Sequence, residues 1–192
     1  KTATTNEVEC FNPQFSYRGD QILYICQEKK FNSQPQIYLE DLNTGYKRQV
    51  TFQEGLLTEA YFLRTDLLIY LSSTDTQKEN VPILSGNLTP SDNLEIYSYD
   101  LQNDEIKRLT ENKYFESALA PLKHINPKVA FVRNEPGTYK VIVKNLSNNS
   151  EKLIFQTNHK ISEIRASDSN QILIVKKIKY KKWVRLIENE TK

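Results

Sequence analysis

A repeated pattern limits the possible folds of this chain more than any other feature of its sequence. The segments IYLEDLNTGYKRQVTF (37–52) and IYSYDLQNDEIKRLTE (96–111) share an apolar-aromatic pair, Asp-Leu, a polar turn, Lys-Arg and Thr. A third copy, VIVKNLSNNSEKLIFQ, occupies 141–156, and a fourth begins at Val184. Self-similarity of this kind indicates a stack of equivalent units rather than one irregular β-domain.

Each copy is preceded by a polar turn and an apolar strand, and a short apolar patch precedes each turn, so every unit has four short strands. The equivalent residues Leu42, Leu101 and Leu146 are 59 and then 45 residues apart, and about 45 residues is the length of a propeller blade. We therefore predict an all-β fold, a single-domain β-propeller of about four four-stranded blades. A β-sandwich, which also has many short strands, is the alternative. The predicted blades are approximately 11–54, 55–113, 114–157 and 158–192.

Closure of the ring is a separate question, because the fourth unit ends before its last strand. Residues 1–10 are one candidate for the missing strand. The other interpretation is an open arc that a second copy, or blades outside this chain, would complete. An uncovered blade edge exposes unpaired backbone groups, so we expect something to cover it.

The first unit is similar to a known repeat. NPQFSYRGDQILYIC (12–26) resembles the TolB-type propeller repeat, whose usual form is Pro-x-Phe-Ser-Pro-Asp-Gly-Lys followed by an apolar strand, and residues 37–52 resemble its second half. Tyr17 and Arg18 replace the usual Pro-Asp, and no later turn keeps the glycine. The resemblance is to the repeat and not to a full TolB, which has six blades and an additional N-terminal domain.

The resemblance implies a protein-docking platform of the bacterial cell envelope, periplasmic or otherwise exported, with envelope proteins as partners. The same repeat forms the non-catalytic, substrate-gating propeller of prolyl-oligopeptidase-like peptidases, which gives an alternative function. A propeller that binds a small ligand or carbohydrate in its central channel is a third, and it requires a polar pocket on the ring axis. The resemblance supplies no motif from which a site residue can be carried over.

Several features agree with export. The chain begins with Lys1 and contains no Met, which is typical of a processed protein or of a piece of a longer one. In an exported protein Cys10 and Cys26 are candidates for a disulfide, and two buried free thiols are the alternative. No apolar run is long enough to span a membrane. The net charge of +2 is too small to predict nucleic-acid binding.

The sequence lacks the motifs of common active sites. There is no Gly-x-Ser-x-Gly, no Gly-rich phosphate loop and no Asp-x-Asp-x-Asp spacing. The two histidines, His124 and His159, are predicted to lie on the surface. The acidic residues near Asp41 and Asp100 belong to the repeated turn, where Asp bonds the local backbone. We predict a non-enzymatic protein without metal or cofactor.

Two segments are candidates for partner binding. An insertion at 74–93, between the second and third strands of the second unit, carries an apolar patch with polar flanks, as protein contacts do. The alternative is that the patch packs against its own blade. The candidate contact residues in the insertion are Val81, Pro82, Ile83, Leu84 and Asn87.

The second segment is the basic stretch KKIKYKKWVR at 176–185. Basic and aromatic residues together can bind nucleic acid or anionic surfaces, and an acidic protein or anionic lipid suits an exported protein better than nucleic acid does. The alternative is a hairpin edge whose solvated lysines prevent edge-to-edge pairing. The candidates are Lys176, Lys177, Lys179, Tyr180, Lys181, Lys182 and Trp183.

Overall fold

A computed structural model describes residues 8–28, 33–73, 94–122, 126–167, 169, 171–178 and 181–187, with only the backbone described for residues 176–178, 181–184, 186 and 187. This part of the chain forms fifteen strands and no helix. The strands make four antiparallel sheets, each a meander of consecutive strands. The all-β prediction is therefore confirmed, and we number the sheets as blades 1 to 4 in chain order.

The first three blades have four strands each, and the fourth has three described strands. Blade 1 contains β1 (Val8–Phe15), β2 (Gln21–Glu28), β3 (Gln36–Asp41) and β4 (Lys47–Gln49). Blade 2 contains β5 (Leu57–Arg64), β6 (Leu67–Ser72), β7 (Glu95–Asp100) and β8 (Glu105–Arg108). Blade 3 contains β9 (Phe115–Leu122), β10 (Lys128–Glu135), β11 (Thr138–Asn145) and β12 (Glu151–Thr157). Blade 4 contains β13 (Ile161–Ala166), β14 (Ile172–Ile178) and β15 (Lys181–Ile187).

Three apolar seams hold successive blades face to face. Side chains alternate between the two faces of a strand, so a central blade needs apolar residues on both. In β6, Leu68 and Tyr70 pack towards blade 1, whereas Ile69 and Leu71 pack towards blade 3. Each such side chain contributes about 1.5–3 kcal/mol on burial. This packing explains why the central residues of the second strands are apolar on both faces.

The first strand of each blade lies on the inside of the arc. The strands β1, β5, β9 and β13 contact one another in order, and each is interrupted by a register shift in its pairing. Asn12 and Ala118 have positive φ angles of 53° and 49° at two of these irregularities. A β-bulge bends its strand and redirects its side chains, and here it places polar groups on the axis.

The repeated Asp-Leu turns have the hydrogen bonds that the sequence predicts. Asp41 Oδ1 accepts from the backbone N–H groups of Asn43 and Thr44, and Asp100 Oδ1 from that of Gln102. Asn145 does the same for Ser147 in blade 3. These N–H donors lower the pKa of the Asp41 and Asp100 carboxyls. The acidic repeat residues therefore have a structural role.

Cys10 and Cys26 form a disulfide. The two residues are register partners on β1 and β2, so the bond crosses one strand pair of blade 1. Residues 1–10 are the predicted candidate for a closing strand. Residues 8–10 are the beginning of β1, and residues 1–7 lie outside the described residues. In the part of the chain that is described, closure between blade 4 and blade 1 is not formed.

No helix among the described residues has the length and hydropathy needed to cross a bilayer.

Candidate functional site

The predicted insertion site, residues 74–93 with the candidate contacts Val81 to Leu84 and Asn87, lies outside the described residues. The described strands on either side of the insertion end at Ser72 and Glu95, which are register partners. This pair lies at the end of blade 2 opposite the turn at 65–66. The insertion therefore leaves blade 2 from that end.

The basic hairpin is described only as backbone. Its strands pair Lys176 with Trp183, Lys177 with Lys182 and Ile178 with Lys181. Lys179 and Tyr180, between those strands, lie outside the described residues. The hairpin joins the second and third strands of its blade, as the insertion does in blade 2. Both predicted contact segments therefore leave the same end of the propeller.

At the end of the propeller opposite these two segments, described side chains from all four blades surround a cavity on the axis. The cavity, of about 370 Å³, opens where the inner strands β1, β5, β9 and β13 end. Its lining comes from all four blades: residues 14–17, 61–62, 119–121 and 165–167. A second cavity of about 270 Å³ lies beside it and includes Asn12 and Glu59 in its lining. Tyr61 and Arg165 line both cavities.

Hydrogen bonds from the inner strands join the blades around these cavities. Asn12 Oδ1, in blade 1, accepts from the backbone N–H of Ala60 in blade 2 at 3.0 Å. Glu59 Oε2, in blade 2, accepts from the backbone N–H of Leu119 in blade 3 at 2.9 Å. It also accepts from the Tyr61 hydroxyl at 3.1 Å. Since backbone atoms provide two of these contacts, the bulged strands fix both side chains.

Arg165 extends this chain of contacts into blade 4. Its Nη1 donates to the Tyr61 hydroxyl oxygen at 3.1 Å, and its Nε contacts Glu163 Oε1 at 2.8 Å. Its Nη2 makes no hydrogen bond to the described residues. The side chain is 54% exposed. Arg165 is therefore positioned by the protein while part of its guanidinium stays accessible from the cavities.

Burial shapes the charge state of this network. It raises the pKa of Tyr61 to about 12, so the phenol is neutral at physiological pH. It also raises the pKa of Glu59, although the N–H of Leu119 and the Tyr61 hydroxyl work against that shift. Burial opposes the charge of Arg165, but Tyr61 and Glu163 outweigh it and raise the Arg165 pKa. Arg165 is therefore a permanent cation.

The larger cavity is chemically simple. Of the described residues that line it, Arg165 alone carries a charge. Phe15 and Tyr17, which also line it, are 67% and 44% exposed. A guanidinium binds a carboxylate through paired N–H donors, and exposed aromatic rings supply apolar contact area. The arrangement can therefore hold an anionic group while its apolar neighbour lies against the rings.

Sequence reasoning did not find Arg165, Glu59 or Tyr61. Their chemistry depends on bulges that bring four distant strands together, and no short motif marks them. The clearest sign of the site in the sequence is the Tyr17-Arg18 pair, which departs from the usual repeat. Tyr17 lines the larger cavity.

Two further predictions concern the histidines and metal binding. His159 is exposed, as predicted, and its backbone N–H donates to the Thr157 hydroxyl. His124 lies outside the described residues. Among the residues that are described, no group of three or more His, Cys, Asp or Glu side chains could hold a metal ion.

Comparison with known proteins identifies the fold. No family model matches the chain, and no curated protein matches it. Among solved structures, TolB from Acinetobacter baumannii superposes with a TM-score of 0.66 at 20% identity over 93% of this chain. A nidogen/laminin complex gives 0.63 at 9% identity over 87%, and a puromycin-hydrolysing peptidase from Mycobacterium tuberculosis gives 0.64 at 10% over 85%.

The chain spans 40%, 56% and 25% of those three chains, respectively. Identities this low establish the fold alone. The chain therefore has a β-propeller fold, with four described blades arranged as an arc.

Proposed function

We propose that this chain is a non-enzymatic docking module of an exported bacterial protein. Its axial cavity holds a carboxylate-bearing segment of a partner protein, with Arg165 as the anchor. The observation that carries this proposal is the presence of one partly accessible guanidinium in a cavity with exposed aromatic residues in its lining. Arginine and tyrosine are the residues that most often dominate the binding energy of protein interfaces.

The size of the cavity supports a peptide as the ligand. About 370 Å³ is at the small end of ligand pockets, enough for one or two side chains or a chain terminus. Capture of a carboxylate is an established mode of peptide recognition. A peptide segment also leaves the surrounding turns free to contact the rest of the partner protein.

Export is supported by the disulfide between Cys10 and Cys26, because such bonds persist in oxidising compartments. In a bacterium that compartment is the periplasm or the exterior, and the partner is then an envelope protein. The nidogen/laminin complex provides an analogy for docking on this fold. A second copy that completes the ring remains the alternative partner.

The insertion and the basic hairpin remain separate predicted contacts. The described strands next to both segments end opposite the axial mouth. Replacing residues 76–91 with a short Gly-Ser link tests the insertion. We expect the shortened protein to keep peptide binding at the axis and to lose capture of any protein that binds Val81 to Leu84.

The peptidase neighbour favours a second function, the gating propeller of a larger peptidase. The axial cavity would then lie on the path of a substrate peptide. This alternative requires a hydrolase domain in the full-length gene, and the docking proposal does not. Binding of a small sugar at the axis is a third possibility, and a thermal shift with sugars but not with peptides would favour it.

The test uses immobilised protein and a synthetic pool of random-sequence heptapeptides, made once with free carboxyl termini and once amidated. Captured peptides are identified by mass spectrometry. We expect the protein to enrich peptides with a carboxylate, and Arg165→Gln to reduce capture at least about tenfold, since a charged hydrogen-bonding partner is lost. Lys107→Gln, which removes an exposed positive charge on β8, is the control.

The two pools distinguish the two sources of carboxylate. Dependence on the free terminus identifies terminal capture, whereas equal capture from both pools identifies an acidic side chain. If neither pool is enriched, or if Arg165→Gln captures as well as the wild-type protein, the proposal is wrong.

A further inference from the structure

A second concavity adjoins the axial cavity at the mouth of the seam between blades 1 and 2. It has a volume of about 750 Å³. Tyr17 lines both concavities, so its ring forms a ridge between them. A peptide that enters the axial cavity can therefore continue over Tyr17 into this second space. The other lining residues are Arg18, Leu63, Arg64, Thr65, Asp66 and Gln102.

The ridge belongs to a well-ordered turn. The Ser16 hydroxyl donates to Asp20 Oδ1 at 2.7 Å, and the Gly19 N–H donates to the Ser16 carbonyl at 3.0 Å. Gly19 has a φ of 71°, which a residue with a side chain adopts only with strain. The Tyr17 hydroxyl lies 3.3 Å from the carbonyl oxygens of Phe62 and Leu63 in blade 2. The turn is therefore fixed before any ligand arrives, which lowers the entropic cost of binding.

The described residues that line the second concavity carry one net positive charge. Arg64 contacts Asp66 at 3.5 Å, so these two opposite charges largely cancel. Arg18 is exposed and forms no ion pair with the described residues. Arg18 lines the second concavity and Arg165 the axial cavity, so the two cations border spaces that share Tyr17.

We infer that Tyr17 and Arg18 form a second subsite, which binds an acidic side chain of the same partner segment whose carboxylate contacts Arg165. This inference rests on the proposed function, and it defines the partner's chemistry: an acidic segment with two carboxylates separated by a residue that packs on Tyr17. Charge complementarity selects this partner, since each guanidinium can bind a carboxylate through paired donors.

The experiment uses the same free-terminus and amidated heptapeptide pools on the wild-type protein, Arg18→Gln, Arg18→Lys, Arg165→Gln and the control Lys107→Gln. We expect the wild-type protein to enrich peptides that carry two carboxylates. Arg18→Gln should still capture peptides through Arg165, but with no preference for the second carboxylate and with about tenfold weaker binding of the best wild-type peptide. Arg18→Lys should restore part of the preference, because the charge returns without the paired donors.

The outcomes separate the two proposals. Capture that depends on Arg165 but shows the same preference for a second acid in wild type and Arg18→Gln overturns the second subsite and leaves the axial site intact. Capture through Arg165 with no preference for a second acid also overturns it. Capture that ignores Arg165, or no capture at all, overturns the proposed function and this inference together.

Discussion

Glu59 and Glu116 both carry carboxylates that are largely enclosed by protein, but their surroundings differ. Glu59 lies on the axis, and Glu116 lies in the seam between blades 2 and 3. Glu116 is 0% exposed, and its Oε1 accepts from Arg133 Nε at 2.9 Å and from Asn112 Nδ2 at 2.8 Å. Burial raises its pKa to about 7. Glu59 lines a cavity, and its Oε2 accepts from a backbone N–H and a phenol.

The arginine near each carboxylate differs in the same way: Arg133 is enclosed by protein and Arg165 borders the cavities. Arg133 is 15% exposed and also binds Glu151 at 2.9 Å, so its donors are directed at protein groups. Arg165 is 54% exposed and lines both axial cavities. Removing a cation enclosed by protein leaves its buried partner uncompensated, whereas a cation that borders a cavity can bind a ligand. The seam should therefore respond to mutation mainly in stability, and the axis mainly in binding.

The largest expected effect is at the seam. Arg133→Met leaves the carboxylate of Glu116 buried without its cation, which costs about 3–5 kcal/mol of unfolding free energy. Urea denaturation at about pH 8, where Glu116 is ionised, measures it. Arg165→Gln should cost less than about 1 kcal/mol in the same assay, since that ion pair is largely exposed. Equal losses for the two variants would remove the distinction between seam and axis.

The pH dependence of stability should come from the same seam. The Glu116 pKa is about 7 in the folded protein against an ordinary value of 4.5, so folding favours the protonated form. Its contribution is complete below the ordinary pKa and is lost as the pH rises through 7. The loss is up to about 3 kcal/mol. Denaturation midpoints between about pH 4 and pH 8 measure this slope.

Glu116→Gln is the matched variant for that slope, because it keeps the shape of the side chain and cannot ionise. Its stability should change less with pH than that of the wild-type protein. An identical pH profile for the two proteins would show that another group is responsible.

A moderate effect is expected at the link between Glu59 and Arg165. Tyr61→Phe removes the hydroxyl that donates to Glu59 and accepts from Arg165. The expected cost is about 1–2 kcal/mol of unfolding free energy. Peptide binding should weaken several-fold because Arg165 loses a positioning contact. Anisotropy of a labelled captured peptide measures the binding change, and unchanged affinity would show that Tyr61 does not position Arg165.

The smallest expected effect is a difference between the axis and the seam in their sensitivity to ionic strength. Raising the ionic strength screens partly exposed charges far more than buried ones. Peptide affinity should therefore fall a few-fold between low and high sodium chloride, while the contribution of Arg133, measured as the difference between wild type and Arg133→Met, stays nearly constant. A peptide affinity that is independent of salt would indicate apolar binding at Phe15 and Tyr17 instead of charge recognition at Arg165.

The sequence predicted the architecture because repetition is visible in the chain itself. The spacing of Leu42, Leu101 and Leu146 and the apolar second strands led to blades that the structure contains. The pairing of Cys10 with Cys26 could be proposed because the sequence contains no other cysteine. Blade packing is a regular consequence of local pattern, so local reasoning recovers it.

The axial site could not be predicted in this way. Asn12, Glu59, Tyr61 and Arg165 come from three different blades, and bulges bring them together without a residue signature. The sequence around Ile164 predicts only an ordinary apolar strand. Arg165, the cation of the site, directly follows Ile164 in the sequence. Polar residues on one strand acquire a function only when the neighbouring strands are placed around them.

The most direct test of the account observes Arg165 itself. In ¹⁵N-labelled protein, the Nε–H signal of Arg165 is assigned by its absence from Arg165→Gln. It is then followed during titration with a peptide captured from the heptapeptide pool. We expect this signal to shift with saturation, and we expect a version of the peptide without its carboxylates to leave the signal in place. If the peptide binds while the Arg165 signal does not move, the axial cavity is not the docking site.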